Sequence, residues 1–154
     1  MSERAEQLDN EAKQLIDRLI ATAGFDLRAR YERQQEFLKV ELAGSDGELV
    51  LENNANLLYA IEHIVNQVMY RRGQGESRVM IDCNDYRQTR VLELQLMARK
   101  AAERVKTTHA PFSLQPMPAF ERRVIHVTLA EERGIRTESA GLGTNRHVVI
   151  LPAG

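Results

Sequence analysis

The sequence predicts an α+β chain built as two small α/β sandwich domains. Stretches with apolar residues at helical spacing are interleaved with short runs in which apolar and polar residues alternate. A length of 154 residues admits two such domains, and a hydrophobic content of 43% can fill two cores. The charge also changes sign along the chain. Residues 1–70 carry 7 Lys and Arg against 13 Asp and Glu, a net −6, whereas residues 71–154 carry 14 against 9, a net +5. A basic second half suits a polyanionic partner, and an acidic first half does not.

Leu8, Ala12, Leu15, Ile16, Leu19, Ile20 and Ala23 recur at helical spacing and predict a helix over residues 3–23, stopped by Gly24. Leu27, Ala29 and Tyr31 alternate with Arg28, Arg30 and Glu32, a half-buried strand. Leu38, Val40 and Leu42 alternate with Lys39 and Glu41, a second strand joined to the first through Gln34-Gln35. Gly44-Ser45-Asp46-Gly47 is a turn, and Glu48 to Leu51 is too short for its period to be read. Leu57, Leu58, Ile61, Ile64, Val65 and Val68 mark a helix ending near Arg71-Arg72-Gly73. Gln74 to Ser77 reads as a loop, and Arg78 to Asp82 as a third strand. The first domain then covers residues 1–83.

The second domain, residues 84–154, opens with a helix from Tyr86 to about Lys106. Its inward face is Val91, Leu94, Met97, Ala98, Ala101 and Val105. The other face carries Arg87, Arg90, Arg99, Lys100 and Arg104. A short strand at 112–114, a helix over 119–132 and strands near 134–140 and 147–151 complete it. Val124, Ile125, Val127 and Leu129 are expected to supply the apolar bulk of the 119–132 helix.

Several function classes find no support. A single cysteine, Cys83, allows neither an intramolecular disulfide nor a cysteine zinc knuckle, and the four histidines have no metal-ligand spacing. No P-loop or dinucleotide fingerprint is present. Asp82 and Asp85 read as capping and turn residues, and Cys83 has no evident His partner in sequence. No apolar run approaches the roughly 20 residues of a membrane span, and the polar N-terminus is not a signal peptide. The expectation is a cytoplasmic, non-catalytic protein that needs no cofactor or metal and does not insert in membranes.

The most informative stretch is Glu121-Arg122-Arg123-Val124-Ile125-His126. On a helix Arg122 and His126 stand one turn apart on one face. A guanidinium offers a planar fork of donors, and an imidazole donates or accepts as its tautomer allows, so the pair suits a phosphate. Alone the spacing is weak: with 17 Arg and 4 His, chance supplies such a pair about as often as not. By itself it reads better as a core histidine beside a surface charge.

Four passages strengthen it: Leu58-Tyr-Ala-Ile-Glu-His-Ile-Val-Asn66; Ile81-Asp82-Cys-Asn-Asp-Tyr86-Arg87-x-x-Arg90; Pro116-Met-Pro-x-x-Glu121-Arg122-Arg123-x-Ile-His126; and Thr137-x-Ser139-x-Gly141 running to Asn145-Arg146-x-Val-Val-Ile150. With them the first half resembles a type II KH domain and the second an R-3-H domain. The tandem resembles the Jag (SpoIIIJ-associated) family of bacterial RNA-binding proteins over roughly residues 8–152. The separate N-terminal module of many members is not part of the match. The resemblance implies binding of single-stranded RNA, with single-stranded DNA as the related ligand. The contacts it favours are Arg122, His126 and Ser139. Thr137 and Gly141 are read equally as shapers of a strand end, Arg146 as an extension of the basic surface, and Arg87 and Arg90 as a ridge that meets a backbone or faces carboxylates.

Two departures from the family stand out. A KH domain clamps a strand with a Gly-x-x-Gly loop, and here that loop falls on Glu52-Asn53-Asn54-Ala55, without glycine or basic residue. Gly44-Ser45-Asp46-Gly47 fits the pattern but lies too early and carries an acid, so it reads as a decoy. The KH-like half is therefore expected to have weakened RNA clamping and to serve as a scaffold or a contact for a protein partner. A protein-interaction adaptor is the alternative function. Where the family has a proline before Arg146, this chain has Thr144, which predicts a looser Gly141–Asn145 loop.

Overall fold

Leu8, Ala12, Ile16 and Ile20 form the buried stripe of α1 (Glu3–Ala23) in the computed structural model, which describes residues 3–73 and 78–154. A polypeptide with apolar groups at this spacing buries one helix face and solvates the other. The hairpin follows as β1 (Arg28–Arg33) and β2 (Leu38–Ala43), antiparallel with Tyr31 opposite Val40 and closed by Gln34 N–H donating to Phe37 O at 2.9 Å. Strand β3 (Val79–Cys83) pairs parallel with β2, so the sheet order is β1-β2-β3. The expected loop at Gln74 to Ser77 lies outside the described residues.

Helix α2 (Gly47–Gly73) takes in Glu48 to Leu51 and is broken at Glu52–Ala55. Glu52 is extended (φ −58°, ψ 152°), and Asn53, Asn54 and Ala55 are left-handed, with φ of 52°, 59° and 58°. The order is thus helix, strand, strand, short helical segment, helix, strand, the one implied by resemblance to a type II KH domain. Leu58, Val65 and Met69 of α2 pack with the α1 stripe on Leu38, Val40, Leu42, Val79 and Ile81. Each fully buried Leu or Ile contributes about 1.5–3 kcal/mol. The same helix closes the outer edge of β3, whose backbone groups would otherwise be open. Asn66 accepts from Val79 N–H and donates to Val79 O, both at 2.8 Å, and Glu62 accepts from Ile81 N–H at 2.8 Å.

The Gly44–Gly47 turn folds onto the start of the hairpin. Asp46 accepts from Asp26 N–H at 2.6 Å, and Ser45 donates to the Asp26 carboxylate. A Cβ at Gly44 would stand 2.1 Å from Asp26 O, so glycine is required by close approach. This turn is a structural joint, as its place in the sequence suggested.

By compactness the chain divides after Tyr86, into Met1–Tyr86 and Arg87–Gly154. Helix α3 (Tyr86–Thr108) buries Leu94, Ala98, Ala101, Ala102 and Val105. After it come β4 (Phe112–Ser113), α4 (Ala119–Leu129), β5 (Ile135–Ala140) and β6 (His147–Pro152). The sheet order is β4-β6-β5, antiparallel throughout. Its core joins the α3 face to Leu114, Met117, Ile125, Leu129, Ile135, Val148 and Ile150.

Two expectations about α4 change. The helix ends at Leu129 rather than 132, and Glu132 N–H turns back to Leu129 O at 3.1 Å. Val127 is not core bulk but 66% exposed. The buried arc is Glu121, Ile125 and Leu129, spaced by four, and Val127 lies off that arc. The Gly141–Asn145 loop is also more defined than expected. Gly143–Asn145 is a 3₁₀ turn in which Asn145 N–H donates to Leu142 O at 3.1 Å and Arg146 N–H to Gly143 O at 3.3 Å.

Candidate nucleic-acid interface

Helix α4 starts after Pro118, whose missing N–H costs nothing at a helix entry. Its spacing carries Arg122 and His126 to one side of the buried arc, against strand β5. Thr137 and Ser139 alternate with the outward Arg136 and Glu138, so both hydroxyls rise on the face that α4 covers. The His126 ring bridges them, with Nδ1 2.7 Å from Thr137 Oγ1 and Nε2 2.9 Å from Ser139 Oγ. Arg122 donates from Nη1 to Ser139 Oγ at 3.3 Å and from Nε to Met117 O at 3.2 Å. The four side chains are therefore one network, and all are half-buried.

Burial lowers the His126 pKa, and the Arg122 charge lowers it further. The ring is thus neutral near pH 7, with one nitrogen donating and the other accepting. Arg122 is fixed by two of its five N–H groups, and its Nη2 edge makes no hydrogen bond among the described residues. A positioned guanidinium with a spare edge, beside a serine hydroxyl, is a group ready to hold an anionic oxygen.

Arg146 adjoins this network through the backbone. Its carbonyl accepts from Met117 N–H at 3.1 Å, and Met117 O in turn holds Arg122. The Arg146 side chain donates from Nη1 to Gly141 O at 3.0 Å, bracing the loop that follows β5. Gly141 is needed there: its φ is 84°, and a Cβ would stand 2.7 Å from Asn145 O.

Arg90 is used differently. It grips Glu121 with both arms of its fork, Nε to Oε1 at 2.9 Å and Nη2 to Oε2 at 3.0 Å, while Nη1 reaches Glu93 at 3.3 Å. The Glu121 side chain is fully buried and that of Arg90 is 13% exposed. This pair fastens the first turn of α4 to α3. Arg87, in the first turn of α3, is half-buried. The hydrogen bonds of the Arg122 network run to Met117, Thr137 and Ser139, so among the described residues Arg87 and Arg90 are not part of it. Of the basic face of α3, Arg104 lies 4.7 Å over the Phe112 ring, and Lys106 in the last turn of the helix pairs with Glu132.

Sequence reasoning gave Arg122, His126 and Ser139 and left Thr137 undecided. It missed the Met117 carbonyl, since a backbone acceptor leaves no residue-type signal. It also missed Glu121 as the partner of Arg90, 31 residues away on another helix. Cys83 is fully buried, its thiol 3.9 Å from Gly47 O, and burial raises its pKa, which keeps it an unreactive thiol. No helix among the described residues is long and apolar enough to cross a membrane.

Residues 92–152 match the R-3-H domain family. The RNA-binding protein KhpB of Clostridium symbiosum is 28% identical over 151 residues, covering 97% of this chain and 68% of that protein. The RNA-binding protein KhpB of Bacillus subtilis (strain 168) is 31% identical over 121 residues, 77% of this chain and 58% of that protein. That of Lactiplantibacillus plantarum is 31% identical over 102 residues, 66% of this chain and 32% of that protein. The chain thus spans from about a third to about two thirds of the length of these relatives. An R-3-H domain occupies the C-terminal part of the chain, and KhpB proteins are similar to it along most of its length, the similarity that the resemblance to the Jag family implied.

Proposed function

We propose that the protein is a non-catalytic RNA-binding protein that holds a single strand by its phosphates, with weak sequence specificity, through residues 84–154. The observation that carries this reading is the Arg122 guanidinium, fixed by Met117 and Ser139 with its Nη2 edge unspent. The names of the KhpB relatives and the net +5 of residues 71–154 support it. Phosphate contacts dominate affinity and carry no sequence information, so binding is salt-dependent and permissive. Single-stranded DNA offers the same phosphates. In this reading Arg122, His126 and Ser139 meet the strand, Arg146 braces the adjoining loop, and the protein works in the cytoplasm.

One observation favours a second reading for residues 1–83. The loop where a KH domain would clamp RNA presents Glu52, exposed, and no basic side chain. A carboxylate there repels phosphate, which suits a protein contact better than a strand.

Fluorescence anisotropy of the whole chain with a labelled single-stranded RNA tests the first reading. Arg122→Ala should weaken binding by about 1–3 kcal/mol, the scale of a charge-assisted hydrogen bond. Log affinity should fall linearly with log salt, with a slope of roughly 3–5 phosphate contacts. Salt-insensitive binding would point instead to base stacking or an uncharged site, and a folded Arg122→Ala variant that binds like the parent would hand the lead to the adaptor reading.

A further inference from the structure

Leu142 is 84% exposed, more than any other large apolar residue among the described ones. A lone surface leucine is ordinary, because folded proteins leave much apolar area in water. This one differs in how it is held and where. The turn that carries it is closed by Asn145 N–H to Leu142 O at 3.1 Å and Arg146 N–H to Gly143 O at 3.3 Å. The Arg146 side chain braces it from beneath, at Gly141 O. Glycines flank the leucine on both sides, and a Cβ built on Gly143 would meet nothing within 4 Å. The leucine itself stands almost wholly in solvent, so its side chain is accessible to a flat group.

Its place is set by the chain. Leu142 follows Ser139 by three residues, a reach of at most about 10 Å. Ser139 is the hydroxyl on which Arg122 and His126 converge. A strand whose phosphate lies at that network carries its bases on neighbouring sugars, and phosphate contacts leave those faces uncovered. An apolar side chain fixed at the rim of a cationic site offers the surface a base needs.

We propose that Leu142 is a base-contacting residue: a nucleobase of the strand whose phosphate sits at Arg122 and Ser139 packs on its exposed side chain. The proposal rests on the phosphate reading of the Arg122 network. It gives that site a contact with the base face, which is sequence-tolerant because every base has one.

The test uses the whole chain and two labelled probes, a single-stranded RNA and an abasic ribose-phosphate chain of equal length. Leu142→Ala should weaken binding of the RNA by about three- to tenfold, the scale of losing a few apolar carbons from a contact. It should leave the abasic chain unaffected. Leu142→Phe should bind the RNA at least as tightly as the parent, since an aromatic ring extends the stacking surface. Equal binding of RNA by Leu142→Ala and the parent overturns the proposal. So does an equal loss on both probes, which would mark a disturbed loop. Arg122→Ala separates the two claims, because it should weaken both probes. If Arg122→Ala is silent while Leu142→Ala weakens only the RNA, the phosphate reading falls and the base contact stands.

Discussion

Glu121→Ala should loosen α4 from α3, by an amount that the geometry sets. Glu121 is fully buried and accepts both arms of the Arg90 fork, at 2.9 and 3.0 Å. Removing one partner of such a pair leaves the other charge buried and unmatched, which costs about 3–5 kcal/mol. That is a large share of the stability of a unit this small, at roughly 0.05–0.15 kcal/mol per residue. Replacing both partners together, as Arg90→Met with Glu121→Leu, should recover most of the loss, because the apolar pair fills the space without a desolvated charge. The chain has two compact units and no tryptophan, so a single whole-chain signal mixes their transitions. Hydrogen exchange of the peptide spanning α4 isolates the right one. Fast exchange in Glu121→Ala and slow exchange in the double variant are expected. If Arg90→Ala keeps parental protection in α4 yet loses RNA affinity, Arg90 is a nucleic-acid contact and the structural role assigned to its ion pair is wrong.

The remaining predictions concern His126 and the broken helix. The lowered pKa of His126 means that the unfolded chain takes up this proton more readily than the folded one. Its stabilising contribution is present above the unfolded value near about 6.5 and is lost as pH falls through the folded value. RNA affinity should move the opposite way, because a phosphate beside the ring favours the imidazolium. Urea unfolding and anisotropy between about pH 7.5 and pH 5.5, with His126→Gln as the control for the other histidines, should show both trends shrinking in the variant. Asn53→Val should destabilise the first unit by about 1–2 kcal/mol in urea unfolding followed by circular dichroism, since a β-branched residue tolerates the left-handed region poorly. An unchanged midpoint would mean that the loop does not hold that conformation in solution.

Where the sequence was legible, one physical signal dominated. The stripe Leu8, Ala12, Ile16, Ile20 has a single period and a glycine stop, and α1 follows it to the residue. The hairpin strands alternate without interruption and pair in the expected register direction. In α4 two signals overlapped. Val124, Ile125, Val127 and Leu129 crowd the helix with apolar residues, so composition hid the phase that Glu121, Ile125 and Leu129 define. A buried glutamate is the anchor of that phase, and no hydropathy pattern marks a glutamate as core. In the Arg122 network the pairing of Arg122 with His126 was legible from helical spacing, whereas Ser139 came only with the family resemblance. The two things that orient it, a backbone carbonyl and a loop braced by Arg146, are products of tertiary approach.

The broken helix shows how a loop can keep a shape after losing the residues that suit it. Three successive left-handed residues without glycine cost roughly 1–2 kcal/mol each, less for asparagine. Such strain persists only where the surroundings over-determine it. Val50 before the break, Ala55 at its end and Leu58 after it are all fully buried, which fixes both the entry and the exit of the chain. The path between them then has to turn sharply whatever residues it contains. Asn53 and Asn54 are the non-glycine types that bear this best, and Ala55 accepts the strain while filling the core. The conformation of Glu52–Ala55 is therefore explained by the packing of its own unit. It is no evidence of a ligand there, and the carboxylate of Glu52 argues against a phosphate.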